Sequence, residues 1–441
     1  MLLSELNYLL ALAASVVASP LATQGSDELI KERFIITADN TINGTFPLNH
    51  PQIQDNSLRF NLINNYDNER QMHAYVTGKD RSGHVVMLST SGQFYYPNTT
   101  SETPVLIPND AEIAIPLNSG GHAQTSFTIP DSIVSGRVYI ADGDLRFSAV
   151  FNKTSGELTL VQPSPTQLDS PSANIKWGFM ELTNTDADGI TVNLSFVDWV
   201  SLVMGMRLTL GDGQVKSVPG LEPDALSSIC TALRAQSDND GQSWDKLCVS
   251  GKDDKGNQKL LRVLSPNLYT ADHGDFMANY YSAYVDNVYA KYTNEDLIID
   301  TQRYGLVSCR TQGETQLFCQ GDSIPFPKPA AKDIWGCNSG PFVNLEENVR
   351  HMNIVARLCA AFTRTQLLLP GGNITPALGL DSYYTVDPTN HYSRIVHNYE
   401  IGGLGYAFPY DDVHPNDATD ASGTLSGHQP QLLEIFIGGG L

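Results

Sequence analysis

At 441 residues the chain is longer than one small core requires, so one large or two medium domains are expected. Its formal net charge of −21 repels phosphate backbones and sets nucleic acid aside as a partner. Only 17% of residues are charged while Gly, Asn, Thr and Ser abound, a balance that points away from a cytosolic helical protein and towards a secreted β-rich one.

The chain opens on a short apolar run, Leu9 to Ala18, ending in Val16-Val17-Ala18 before Ser19. Residues 1–18 read as a signal peptide with a small-residue cleavage site, although Glu5 precedes the run and no Lys or Arg does. Residues 19–32 are polar and read as a flexible lead-in. No other stretch approaches the ~18 apolar residues of a membrane span, so no membrane partner is expected. Asn-x-Ser/Thr sequons at Asn43, Asn98, Asn152, Asn193 and Asn373 agree with export.

From Phe34 to about Val161 short apolar runs alternate with turn signals. Leu58-Arg-Phe-Asn-Leu-Ile, Met72-His-Ala-Tyr-Val, His84-Val-Val-Met-Leu, Ala111-Glu-Ile-Ala-Ile, Gly136-Arg-Val-Tyr-Ile-Ala and Gly156-Glu-Leu-Thr-Leu-Val are the clearest, and their spacing predicts a β-sandwich or barrel. Gln162 to Pro171 reads as a loop, and a hairpin follows between Glu181 and Asp198. The first lobe is taken as 33–204. Beyond it, Pro223 to Ala235 has helical spacing with Asp224 as N-cap. Asp275 to Tyr292 repeats Phe276, Tyr280, Tyr284 and Val288 every four residues, and Leu345 to Leu368 is the other strong helix. With short strands such as Leu297 to Thr301 between them, 205–375 reads as a mixed α/β lobe. It holds Cys230, Cys248, Cys309, Cys319, Cys337 and Cys359. Three sequential disulfides are expected; zinc ligation is the alternative, but no Cys-x-x-Cys accompanies them. Residues 376–441 form a turn-rich return ending in Leu432-Leu-Glu-Ile-Phe-Ile, a strand able to pair back into the first lobe.

The sharpest chemical candidate is the hairpin. Two runs rich in β-branched residues flank Asp188-Gly189, which fits a type I′ turn. With those two residues as the loop, Glu181 opposes Phe196, and Asp198 is its diagonal neighbour at roughly 7–8 Å. That separation lies in the ~6.5–9.5 Å window of two carboxyls with a water between them, as in an inverting glycosidase. Strict alternation, however, puts Asp198 on the face of Ile190, Val192, Leu194 and Phe196. Either it is partly buried with a raised pKa, or a bulge near Phe196 turns it to the polar face. A three-residue loop would separate the two carboxylates. Acidic residues at strand ends are otherwise solvated or cap turns.

A second candidate is Gly405-Tyr-Ala-Phe-Pro-Tyr-Asp-Asp-Val-His, where Asp411 and Asp412 offer acceptors for sugar hydroxyls beside Tyr406, Phe408 and Tyr410. Adjacent aspartates fit a calcium site or a plain loop equally well. His391 and His397 lack the Glu of a His-Glu-x-x-His motif, which favours structural or substrate hydrogen bonds over metal. No Gly-x-Ser-x-Gly elbow, Walker loop or dinucleotide fingerprint appears, and neither cofactor nor metal is expected.

The segments Trp177-Gly-Phe-Met-Glu-Leu-Thr-Asn, Val192-Asn-Leu-Ser-Phe-Val-Asp, Cys337-Asn-Ser-Gly-Pro-Phe and Gly405-Tyr-Ala-Phe-Pro-Tyr-Asp-Asp-Val, in that order, resemble glycoside hydrolase family 64. The likeness spans about residues 33–440. Members are β-1,3-glucanases, including laminaripentaose-producing ones, and the acidic run also resembles that of thaumatin-like proteins. The resemblance implies a mainly β fold, with a thaumatin-like β-barrel or sandwich, a mixed α/β lobe and a wide groove between them. It implies a secreted, inverting, endo-acting hydrolase of β-1,3-glucan, read as a monomer. Glu181 falls on the family's general acid and Asp198 on its general base. Thr183, Asn184, Asn193 and Ser195 fall near sugar-binding positions, and Tyr406, Tyr410, Asp411, Asp412 and His391 are assigned to substrate. Trp177, Trp199, Trp244 and Trp335 are further stacking candidates, against the usual place of Trp in a core. A glycan on Asn193 would block such a groove, which leaves Asn43, Asn98, Asn152 and Asn373 as glycosylation sites. The alternative is a thaumatin-like protein that holds β-glucan without cleaving it.

Overall fold

Leu58, Phe60 and Leu62 point inward along Leu58–Asn64 with at most 1% exposure, a period-two burial that fixes which side of the strand faces the core. The computed structural model describes residues 56–441 except 67–69, 168–169, 254, 346–347, 417–419 and 421. The signal-peptide run 1–18, the lead-in 19–32 and Asn43 lie outside the described residues.

Leu58–Asn64 pairs in parallel with Pro430–Ile437 and antiparallel with Ala123–Ile129. The closing strand therefore does return to the first one. Met204–Leu210 and Val215–Val218 complete this five-stranded sheet on the far side of Pro430–Ile437. The expected boundary at 204/205 is corrected by this pairing, because it would cut a sheet whose strands run on to Val218.

The second sheet runs, in spatial order, Leu425–Gly427, Gly189–Leu194, Trp177–Thr185, Ile133–Ala141, His73–Lys79, Val85–Leu88 and Phe94–Tyr95, with Ile115–Pro116 beside His73–Lys79. One face, with Ala74, Val76, Val138, Ile140, Met180, Leu182, Ile190, Val192 and Leu194, shares a core with Leu58, Phe60, Met206 and Leu433 of the first sheet. That is sheet-on-sheet packing. The same cluster continues without a break into Trp244, Trp335, Leu358 and Phe362 of the helical region. The two expected lobes thus share one core. The other face is only partly covered: Tyr75, Met87, Tyr139, Trp177 and Phe179 pack against Phe147, Leu160, Trp199, Leu264 and Leu268. Trp177, Trp199, Trp244 and Trp335 are all buried, which corrects their reading as stacking residues.

The helices lie within the expected region. Ala225–Asp240 and Val349–Thr363 are present, the latter capped by the Asn348 side chain accepting from His351 N at 3.1 Å. The expected helix from Asp275 starts only at Ser282; before it comes an unforeseen helix, Pro266–His273, capped by Ser265 and ended at Gly274. Cysteines pair sequentially, Cys230–Cys248, Cys309–Cys319 and Cys337–Cys359. Among the described residues no helix is long and apolar enough to cross a membrane.

Candidate functional site

The hairpin closes by a different turn from the expected one. Thr185 pairs with Gly189, so Asp186, Ala187 and Asp188 form a three-residue loop and Gly189, at φ 71°, supplies its left-handed end. Thr185 Oγ1 accepts from Asp188 N at 3.1 Å, and Arg81 holds the loop through an ion pair with Asp186. Every cross-strand partner moves in consequence: Glu181 opposes Asn193, not Phe196. The ladder stops at Leu194. Ser195 makes an isolated bridge to Tyr406, Phe196 N donates to Tyr406 O at 2.8 Å, and the chain then crosses to a third sheet through Trp199–Val200. Asp198 is therefore no diagonal neighbour within the ladder; the strand ends, rather than bulges, before it.

Glu181 is held by a residue that the sequence reading passed over, and the charge of that residue also reaches Asp198. Arg137 stands opposite Glu181 on Ile133–Ala141 and donates from Nη2 and Nε to Glu181 Oε1, at 2.8 and 3.2 Å. Its Nη1 donates to Gln162 Oε1 at 2.7 Å, an oxygen that also accepts from the Tyr139 hydroxyl. The Phe179 ring lies 4.6 Å below the guanidinium. Glu181 and Asp198 are each 7% exposed. Burial pushes Asp198 up to about 6; Arg137 pulls the other way and the Glu181 charge adds to the rise. Burial wins because the nearby cation is already hydrogen-bonded to the other carboxylate. Such an enclosed acid pair around one guanidinium can hold and move a proton.

Register places this centre on the sheet. Asn193, Glu181, Arg137, Thr77 and Met87 form one cross-strand row, all buried. The next row holds Ser426, Thr191, Thr183, Lys79 and Val85, all half-buried or exposed. Access to Glu181 therefore lies over this second row. Ser135, at φ 50°, marks an irregular step between Thr183 and Lys79, and its N–H donates to Thr183 Oγ1 at 3.3 Å. Ser195 lies just past the end of the ladder, bridged to Tyr406, while Thr183 and Asn193 share Glu181's face. Asn184 does not: alternation puts it on the core face, fully buried, with Nδ2 donating to Asn56 O. Asn193 is 3% exposed, which leaves no room for a glycan. Asn98 and Asn152 are exposed and Asn373 is half-buried.

The acidic run is not the open sugar-binding surface the sequence reading expected. Asp411 is enclosed: Oδ1 accepts from Arg364 at 3.0 Å, Oδ2 accepts from Ala407 N at 2.9 Å, and His397 Nε2 forms an ion pair with Oδ2 at 2.9 Å. His397 Nδ1 pairs with Glu400 at 2.6 Å. Burial opposes charge on His397, yet Asp411 and Glu400 raise it well above its usual value. Burial likewise opposes charge on Asp411, and His397 and Arg364 overcome it. Asp411 is a structural residue, as its partners take both oxygens. Asp412 is buried beside it and is pushed up to about 8 by burial and Asp420, against Arg357. Tyr406 is buried, Tyr410 packs half-buried against the core, and His391 is enclosed by Asp387, Arg394 and Trp244. Asp411, Asp412, Tyr406 and His391 are thus enclosed by the chain's own groups rather than set on an open surface. What the run does supply is position, since Tyr406 tethers Phe196; from the helix His391–Asn398 the Tyr392 hydroxyl also donates to Phe196 O at 2.5 Å, two residues before Asp198. Arg137 left one trace in the sequence, a lone cation in an otherwise apolar strand. Among the described residues no group of three or more His, Cys, Asp or Glu is arranged to hold a metal ion.

The family model described as Beta-1,3-glucanase, that of glycoside hydrolase 64, matches residues 56–437. A glucan endo-1,3-beta-glucosidase of Cellulosimicrobium cellulans is 29% identical over 306 residues, which is 66% of this chain and 51% of that protein. The chain thus spans about half the length of the curated relatives it matches. A laminaripentaose-producing β-1,3-glucanase, solved in complex with laminaritetraose, is similar at TM-score 0.73 and 27% identity, over 86% of this chain and 98% of that one. A family 64 β-1,3-glucanase domain from Clostridium beijerinckii is similar in fold, at TM-score 0.66 and 20% identity over 88% of this chain and all of that one.

Proposed function

Since the chain belongs to glycoside hydrolase family 64, the β-1,3-glucanases, we propose that it hydrolyses internal bonds of β-1,3-glucan with inversion of the anomeric centre. The observation that carries this reading is the enclosed pair Glu181 and Asp198 around Arg137. Glu181 is the general acid. Arg137 occupies its Oε1, and Oε2 is the oxygen left to deliver a proton to the glycosidic oxygen. Asp198 is the general base that takes a proton from water on the opposite face of the sugar. Thr183 and Asn193, on the same face as Glu181, support sugar binding there, with Ser195 next along the chain. The names of the relatives and the laminaritetraose complex of the similar structure agree with this substrate. The same reading includes a secreted monomer, a thaumatin-like relation of the two-sheet region, a groove beside it, and glycans at Asn98 and Asn152.

The test compares Glu181→Gln with Asp198→Asn on two substrates. On laminarin, Glu181→Gln is expected to lose about 10²–10⁴-fold in kcat. On a dinitrophenyl β-glucoside of laminaribiose, whose leaving group needs no proton, Glu181→Gln should recover most of that loss and Asp198→Asn should not. Full turnover of laminarin by Glu181→Gln would overturn the assignment. Wild-type protein that binds the glucan but releases no reducing ends would replace it with the binding-only reading. Proton NMR should show the α-anomer of the product first.

A further inference from the structure

Lys79 ends the strand His73–Lys79, two strands across the sheet from Glu181 and on the same face. Its alternation is secure. Tyr75 and Thr77 share its face, while Gly78 between them faces the core, where an added Cβ would lie 2.5 Å from Ile133. Directly opposite Lys79 is Val85, which packs on the second core cluster. The lysine is half-buried, and burial lowers its pKa while Glu157 raises it. Among the described residues its ammonium forms no ion pair and no hydrogen bond within the chain, while its backbone stays in the ladder. An amine that is desolvated yet unpaired costs stability, and the usual remedy, a carboxylate in contact, is missing although Glu157 is near.

The position has a second property. Lys79 lies in the accessible row that holds Thr183 and Thr191, next to the buried row of Glu181. Strands repeat every ~4.7–4.9 Å, close to the length of one hexose, so a glucan laid across the strands meets one strand per sugar. Two inter-strand spacings, across the single strand Ile133–Ala141, separate Lys79 from Glu181, and one row along the strand adds ~7 Å. We propose that Lys79 is a glucan-binding residue, donating to hydroxyls of the sugar one or two units from the bond that is cut, with the glucan running across the strands over the row Thr191, Thr183 and Lys79. This rests on the glucanase reading of the site. An ammonium offers three donors and no acceptor, and sugar hydroxyls supply the acceptors that the protein withholds. The competing role is that of a stem covering Val85 with its head in water.

Lys79→Met separates the two, because it keeps the stem and removes the donors. Expected is a loss of about tenfold or more in kcat/KM on laminarihexaose, carried mainly by KM, from one charged hydrogen bond. The loss should be smaller on an aryl β-glucoside that fills only the position beside the cut, and Lys79→Arg should recover part of it. A KM equal to wild type on laminarihexaose, or the same loss on both substrates, overturns the proposal. If wild-type protein releases nothing from laminarin, the glucanase reading fails by that result alone. Calorimetric titration with laminarihexaose then decides Lys79: weaker binding by Lys79→Met upholds it, while equal affinity or no binding to wild type overturns it.

Discussion

Asp198 shows how burial and charge compete at a single residue. Its carboxyl is pushed up to about 6 by desolvation, which outweighs the pull of Arg137. A general base acts in its ionised form, so the fraction of active enzyme grows as pH rises through about 6 and falls away below it. A rate profile of kcat/KM on laminarin should therefore show its acid-side limb near pH 6. The opposite arrangement has an observation in its favour: Arg137 donates two hydrogen bonds to Glu181, a contact that suits a carboxylate, while the raised carboxyl is Asp198. If Asp198 were the proton donor, activity would fall as pH rises through the same value. The direction of the limb near pH 6, with its disappearance in Asp198→Asn, thus assigns the roles. A limb falling towards alkali there would exchange Glu181 and Asp198.

At the scale of the element, the hairpin turns on one glycine. Gly189 holds φ 71°, and a Cβ there would sit 2.2 Å from Gly427 O on the neighbouring strand. Gly213 makes the control: it has φ 85° but open space around its missing Cβ. Gly213→Ala should cost only the left-handed strain, about 1–2 kcal/mol. Gly189→Ala should cost more, since it must also part Leu425–Gly427 from Gly189–Leu194. Urea unfolding of the two variants measures the difference, and equal losses would show that the close approach to Gly427 has no energetic weight. The same turn explains what was legible here. Asp188-Gly189 marks a reversal, but a Gly can end a three-residue loop as readily as it can fill a two-residue one. The choice rests on Thr185 and on Arg81, which lies 105 residues from its partner Asp186. Local residues thus announce the hairpin, and distant ones select its register. Arg137 escaped notice for the same reason, since its partner Glu181 is a cross-strand neighbour 44 residues on. Asp411 reads as a surface acid until Arg364 and His397 are brought around it.

At the scale of the molecule, the strand pattern of the first lobe was legible because period-two burial is written residue by residue. That the two lobes share a core was not, because it depends on which strands become neighbours. Pro430–Ile437 makes the point. It lies between the first described strand and Met204–Leu210, parallel to one and antiparallel to the other. Leu433, Ile435 and Ile437 are each fully buried in the cluster that also contains Trp244 and Trp335. The end of the chain thus locks a sheet whose other strands come from its beginning and middle. Ile435→Ala should destabilise the whole protein by about 2–5 kcal/mol, the usual range for a large aliphatic side chain removed from a core. That is a large share of a typical net stability of about 5–15 kcal/mol. The loss should appear as one cooperative transition, followed both by tryptophan fluorescence, which reports Trp177 and Trp199 on strands together with Trp244 and Trp335 in the helical region, and by far-ultraviolet circular dichroism, which reports strands and helices alike. Two transitions at different urea concentrations would mean that the sheet region and the helical region unfold independently, and that the shared core does not couple them.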